Sequence, residues 1–157
     1  MAQRFDANTY PLDPGVRLLE ASAGTGKTFA LAHLCLRLIT EADHALEALL
    51  VVTFTDAAAE ELRSRIGQRL QQALQGLEQL DQGMEASAPD PVLADWLAGS
   101  EPGDARQRWI RHLLARLNQC CAPLFLRIIS GGDFTLSMLL SGPPASPAIS
   151  GTRYTSR

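Results

Sequence analysis

Residues 20–28 read Glu20-Ala21-Ser22-Ala23-Gly24-Thr25-Gly26-Lys27-Thr28, and the fold turns on what flanks them. An apolar, extended-looking run from Val16 to Leu19 precedes them, and Phe29-Ala30-Leu31-Ala32 opens a helix-period pattern directly after. Strand, glycine-bearing loop and helix in that order are the setting of a phosphate-binding loop. Gly24 and Gly26 can take positive φ and bring the backbone close to a ligand, so that successive N–H groups face phosphate oxygens. The first turn of the following helix adds its free N–H groups and the positive end of its dipole. Lys27 then reaches the β- and γ-phosphates of ATP, and the Thr28 hydroxyl ligates the Mg²⁺ that bridges them. Ala21, Ser22, Ala23, Gly24, Thr25, Gly26, Lys27 and Thr28 are therefore the expected nucleotide cradle, with Lys27 and Thr28 as its catalytic members.

Two details bear on that reading. Lys27 is the sole lysine among 14 basic residues, so arginine was avoided at the one place where a compact point charge is needed. Ala21 stands where the first glycine of the motif is usually written, and its small side chain fits there. The competing reading is a glycine-rich turn that binds nothing. Gly-Lys-Thr at the right spacing, with the right flanks, favours nucleotide binding.

The chain has 157 residues, enough for one domain with a sizeable core and too few for a motor with two nucleotide-clasping lobes. Its net charge of −3 exerts no overall pull on nucleic acid, so such contact would need a local patch. Cys35, Cys120 and Cys121 lack CxxC spacing, which suits a reducing compartment better than a disulfide framework. His33, His44 and His112 are scattered and read as ordinary histidines, without metal-ligand spacing. Met1 to Tyr10 lacks the apolar core of a signal peptide, and no apolar run approaches membrane-spanning length. A soluble, cytoplasmic protein with no membrane partner is expected.

Residues 1–15, bearing Pro11 and Pro14, read as an extended lead-in that packs over the nucleotide pocket or hangs free. Residues 16–121 read as the folded part. A helix over about Lys27 to Thr40 should bury Leu31, Leu34, Cys35 and Leu38, with His33 and Arg37 elsewhere on its surface. Ala48 to Phe54 reads as a strand buried on both faces of a parallel sheet. Thr55 or Asp56 caps a long helix to about Leu80, buried along Leu62, Ile66, Leu70, Leu74 and Leu77. Its Arg63, Arg65 and Arg69 read as a solvated face of Glu–Arg pairs in preference to a nucleic-acid patch. Residues 81–103 form an irregular connection with a helical turn at Pro91 to Leu97, and a helix from about Asp104 to Asn118 buries Trp109, Leu113, Leu114 and Leu117. From 122 to 157 the composition turns to Ser, Gly and Pro; Leu124 to Ile129 is compatible with a strand, and the rest reads as a disordered tail.

Two stretches, "RLLEASAGTGKTFALAHLCLRL" and "LLVVTFTDAAAEELRSRI", together resemble the start of RecB-type subunits, the helicase-nuclease chains of the UvrD-like superfamily 1 helicases. The similarity runs from about Tyr10 to Leu70; a nucleoside kinase would share the first stretch and lack the second. The resemblance implies an α/β fold with a P-loop NTPase, RecA-like parallel sheet, incomplete in this chain. It implies ATP and Mg²⁺ as cofactors and ATP-driven unwinding of DNA in recombinational repair of double-strand breaks. Its implied partners are single- and double-stranded DNA and companion helicase-nuclease subunits. The family's T-F-T and A-A-x-E-L motif is matched by Thr53-Phe54-Thr55 and Ala58-Ala59-Glu60-Glu61-Leu62, which implies that Thr53, Phe54 and Thr55 contact single-stranded DNA. On the residues alone, Phe54 is equally a core aromatic at a strand end or a base-stacking platform.

The chain also departs from the family. No hydrophobic run ending in an acidic pair (Walker B) follows, a second motor lobe is absent, and "CCAPLFLRIISGGDF" stands where relatives carry a T-I-H-G-F-C-like segment. A frameshift or premature stop would account for both the lost segment and the change in composition. The expectation is thus an ATP-binding portion of a RecB-like protein that is not active alone. The alternatives are a nucleotide-binding module without turnover, or a non-functional truncated product.

Overall fold

Thr55 begins the helix on which the other helices pack. Its Oγ1 accepts a hydrogen bond from the Ala58 N–H at 3.2 Å, and Asp56 in the first turn complements the positive dipole end. From there Leu62, Ile66, Leu70, Ala73 and Leu77 recur at helical spacing and are all buried.

The computed structural model describes residues 3–21, 24, 26–99, 103–120, 127–129 and 151–156. In chain order they form β1 (Gln3–Arg4), β2 (Val16–Ala21), α1 (Lys27–Thr40), a 3₁₀ turn (Leu46–Ala48), β3 (Leu50–Val52), α2 (Asp56–Asp81), α3 (Pro91–Ala98), α4 (Gly103–Cys120), β4 (Arg127–Ile129) and β5 (Gly151–Ser156). One apolar core joins the α2 stripe to Leu36 and Ile39 of α1, Leu93, Trp96 and Leu97 of α3, and Ile110, Leu113 and Leu117 of α4. The approach of α3 to α2 is close: a Cβ added at Gly76 would lie 2.5 Å from Cδ1 of Leu97.

Strand pairing is parallel throughout but falls into two separate sheets among the described residues. β2 pairs with β5 from Val16↔Gly151 to Ala21↔Ser156, and β1 flanks β5 on its other side. β3 pairs separately with β4, Leu50↔Arg127 to Val52↔Ile129. The single sheet expected from the sequence is therefore not formed among the described residues. Residues 127–129 and 151–156 are the described parts of the segment read as a tail, and both are strands; its other residues lie outside the described ones.

Several burial expectations are corrected. β3 is short, and Leu50 and Val52 are 51% and 49% exposed while Val51 packs on the core. Only one face of β3 meets helices, so alternation replaces the expected two-sided burial. In α1 the core-facing residues are Ala32, Cys35, Leu36 and Ile39; Leu31 is exposed, and Leu34 turns to a second small cluster with Tyr10. In α4 Ile110 is buried where Leu114 and Trp109 are only partly so.

The reason α1 is buried on two sides is a polar seam that holds the lead-in. Arg37, 6% exposed, donates from Nη1 to the carbonyls of Ala7 and Tyr10 at 2.9 and 2.8 Å, and forks onto the Glu41 carboxylate. Glu41 in turn accepts from the Trp96 indole N–H at 2.9 Å. His33 and Arg37, which the sequence reading sets off the buried stripe of this helix, are thus interior residues, and the described lead-in packs on α1 and α3.

His33 is fully buried, with Nε2 2.7 Å from Oδ1 of Asn8. The Asn8 amide NH₂ donates to the Val92 carbonyl at 3.0 Å, so Oδ1 is the acceptor and Nε2 carries the ring proton. Nδ1 has no hydrogen-bond partner among the described residues, and a second proton there would be a buried, unpaired donor. Burial first, then the nearby Arg69 and Arg37 cations, lower the pKa to about 4, against weaker opposition from Asp90 and Glu41. Between pH 6.5 and 4 the unfolded chain binds a proton that the folded chain refuses, so stability is full above this window and falls as pH drops through it. The loss amounts to on the order of 3 kcal/mol. Urea midpoints measured from pH 7.5 to 4.5 should show this decline, and His33→Leu should flatten it; an unchanged slope in the variant would rule out His33 as its source.

Candidate nucleotide-binding cleft

α1 starts in an unusual way for a helix that faces solvent. Its N-cap, Gly26, sits at φ 80°, offers no side-chain hydrogen bond, and no acidic residue occupies the first turn. α2 and α3 differ: Thr55 caps the first, and Asp90 caps the second by accepting from the Leu93 N–H at 3.0 Å. The first turn of α1 therefore has neither a capping side chain nor an acidic residue of its own, and its partial positive charge is aimed outward. Gly24 also lies in the left-handed region, at φ 77°, and a Cβ placed there would meet nothing within 4 Å. Positive φ at both positions favours glycine, and the free space beside Gly24 leaves room for a ligand against the backbone.

This turn opens on a cleft of about 590 Å³. Gly24, Gly26, Lys27 and Thr28 form one wall; Lys27 is exposed and Thr28 partly buried. Ala21 ends β2 and so delivers the chain to the turn, whereas Ser22, Ala23 and Thr25 lie outside the described residues. The opposite wall is the polar flank of α2, with Glu61, Arg65, Gln68 and Gln72, and the cleft is closed by Phe29, Arg69, Pro89 and Asp90. The sequence reading places none of these α2 residues at the cleft: Arg65 falls in its solvated face and Glu61 in its A-A-x-E-L match. The available signal was their spacing, which sets a polar stripe beside the apolar one of Leu62, Ile66, Leu70, Ala73 and Leu77.

Arg69 corrects the reading of a solvated arginine face. It is 3% exposed, its guanidinium bonds Asp90 at 2.6 and 3.3 Å, and it lies 4.4 Å from the ring centroid of Phe29. One side chain thereby joins α2, the cap of α3 and the first turn of α1. Burial pushes the Asp90 carboxyl up, but the hydrogen bonds from Arg69 and the Leu93 N–H outweigh it and hold its pKa below the ordinary value. No cluster suited to a metal ion occurs among the described residues. Cys35 is buried, and burial raises its thiol to about 11, so it remains a protonated core residue.

The second candidate group lies apart from the cleft. Thr53 donates its hydroxyl to the Thr55 carbonyl at 2.9 Å, and Thr55 spends an Oγ1 lone pair on the cap, so both shape the turn that leads into α2. Between them Phe54 stands 91% exposed, which removes the reading of it as a core aromatic. Thr53, Phe54 and Thr55 do not line the cleft.

The UvrD/REP helicase N-terminal domain family matches residues 4–110, from the lead-in through the cleft to α4. The chain belongs to this family. Among its relatives, the RecBCD enzyme subunit RecB of Haemophilus influenzae is 39% identical over 95 residues, covering 52% of this chain and 8% of that protein. RecB of Escherichia coli is 50% identical over 74 residues, covering 42% and 6%. An ATP-dependent helicase/nuclease protein of Clostridium perfringens is 47% identical over 60 residues, covering 37% and 5%. The chain matches 8% or less of the length of these relatives. In this UvrD/REP domain no described helix is long and apolar enough to cross a membrane.

Replacing Arg69 by Met should cost about 2–4 kcal/mol of stability, because it leaves a half-buried carboxylate without its cation and removes the contact with Phe29. Arg63→Met, which breaks only an exposed pair with Glu60, should stay within about 0.5 kcal/mol of the parent. Urea denaturation of the two variants side by side checks the contrast.

Proposed function

We propose that this chain forms the ATP-binding part of a RecB-like DNA helicase-nuclease that works in recombinational repair. The observation that carries the reading is the side-chain-uncapped N-terminus of α1, where left-handed Gly24 and Gly26 are followed by Lys27 and Thr28 at the mouth of a cleft. Membership of the UvrD/REP family and the names of the relatives support it. In this reading residues 21–28 cradle the polyphosphate, Lys27 neutralises its outer phosphates, and Thr28 presents its hydroxyl to Mg²⁺. The group so held supplies the phosphoryl bond whose cleavage drives movement on DNA; the residues of this chain bind and orient it.

The parallel ladders of β2 and β3, each feeding a helix, fit two pieces of a RecA-like P-loop sheet. Phe54 serves as a stacking platform for a base of single-stranded DNA, beside Thr53 and Thr55, whose hydroxyls lie within reach of the strand's phosphates. Companion helicase-nuclease subunits belong to the same proposal, by analogy with the RecBCD relatives. Nucleotide binding is assigned to the described residues and hydrolysis is not, because Asp90, the carboxylate that lines the cleft beside Arg69, is committed to that arginine and to the cap of α3, and no group of three or more metal-ligating side chains occurs among the described residues.

Titration calorimetry with ATP and Mg²⁺ tests the cradle. Lys27→Ala should weaken ATP at least about tenfold, the scale of one lost charge-assisted contact, with the circular dichroism unchanged; equal affinity in parent and variant would defeat the reading. Phe54→Ala should weaken an oligo-dT strand roughly tenfold, as expected for a lost stacking contact, while leaving ATP affinity and Tm in place. Unaltered oligonucleotide affinity would remove Phe54 from the DNA surface.

A further inference from the structure

α2 and α3 both end at a second groove, of about 410 Å³, which shares no lining residue with the cleft. Leu97, itself buried, brings the core to its surface, and Leu80 and Ala94 line it from α2 and α3. The turn after α2 fixes the position of Met84. Gly83, at φ 76°, donates its N–H to the Leu80 carbonyl at 3.0 Å, and Met84 donates to the Gln79 carbonyl at 2.9 Å, the paired bonds of a Schellman ending. In that ending the residue at the Met84 position commonly packs on an apolar side chain of the last helical turn. Here those positions hold Glu78 and Gln79, and Met84 stands 51% exposed at the groove.

The electrostatics of the groove have one sign. Neither α2 nor α3 carries a basic residue in its last turn, so the negative dipole ends of both helices meet the groove without a cation of their own. Glu85 lines it, is exposed and forms no ion pair among the described residues. The cation in the lining is Arg106, and its guanidinium is spent on the end of α3, bonding the carbonyls of Leu97 and Ala98. Glu85 and the end of α2 are left uncompensated.

We propose that this groove docks a cationic amphipathic helix of a partner protein, which sets apolar side chains on Met84 and Leu97 and a lysine or arginine against Glu85 and the end of α2. Helix-in-groove recognition needs an apolar floor with adaptable walls, and a methionine held by a fixed turn supplies the second at little cost in backbone order. The charge left over at the rim selects the sign of the partner. Phosphate backbones and acidic segments are repelled by the same groups. Nothing in this contact depends on the nucleotide-binding reading.

The test uses the full chain and two dye-labelled amphipathic peptides of about 18 residues, long enough to hold a helix, one of Leu and Lys and one of Leu and Glu in the same pattern. By fluorescence anisotropy the Leu/Lys peptide should bind at least about tenfold more tightly than the Leu/Glu peptide. Ala94→Trp, which fills the groove without changing charge, should weaken the Leu/Lys peptide at least about tenfold, and Met84→Ser should weaken it several-fold. Glu85→Lys should cost roughly fivefold and reduce the salt dependence. All three positions are exposed, so Tm should stay close to the parent's and a loss reads as lost contact. Absence of Leu/Lys binding, or equal binding of the two peptides, overturns the proposal. So does Leu/Lys affinity that survives both Ala94→Trp and Met84→Ser, which would place the peptide on the acidic surface at large. Sedimentation showing a dimer of the parent that Ala94→Trp dissociates would make the occupant a second copy of this chain and overturn the choice of partner.

Discussion

The burial of one side of α2 is the constraint from which the rest of the molecule follows. Ile66, Leu70, Ala73 and Leu77 are at most 1% exposed, and α1, α3 and α4 all contribute to the core around them. Once that stripe is turned inward, the helical period fixes where the neighbouring stripe must go. Glu61, Arg65, Gln68 and Gln72 then face the first turn of α1 across the cleft, and Arg69, at the boundary of the two stripes, is drawn into the interior. The same packing that stabilises the fold therefore builds the second wall of the site.

Capping divides the helices by role. Thr55 and Asp90 close the N-termini of α2 and α3 with side-chain oxygens, as expected for ends that serve structure alone. α1 begins at glycine in a left-handed turn with no such cap oxygen, so the positive end of its dipole faces the cleft without a capping side chain. A glycine in place of a capping side chain costs a helix end only about a few tenths of a kcal/mol, and the packing of α1 on two sides offsets it.

That two-sided packing relies on polar groups placed where apolar ones would serve bulk stability as well. Arg37, Glu41, His33, Asn8 and the Trp96 indole form a continuous set of contacts that joins the lead-in, α1 and α3. Arg69 and Asp90 extend it to α2. Directional bonds of this kind contribute little net free energy, but they fix the position of each partner, because a displaced member leaves a buried donor or acceptor unmet. Lys27 and Thr28 sit on the helix that this network anchors.

Local features were legible from the residues alone. The bounds of α1, a cap at Thr55 or Asp56, the turn at Pro91 that becomes α3, and the left-handed Gly24 and Gly26 ahead of α1 all follow from spacing and from propensities that act within a few residues. Pairing across long separations was not legible. Arg63, Arg65 and Arg69 look alike in a sequence, and what distinguishes them is Glu60 three residues away, an open cleft, and Asp90 twenty-one residues on. The exposure of Phe54, the one-sided burial of β3 and the division of the described strands into two sheets depend in the same way on which elements meet in space. The glycine turn ahead of α1 needed nothing beyond its own stretch of chain, because turn geometry and helix start are set by neighbouring residues. What stands across from that turn was settled in three dimensions, because the burial of the α2 stripe, a property of the whole fold, orients the opposite wall.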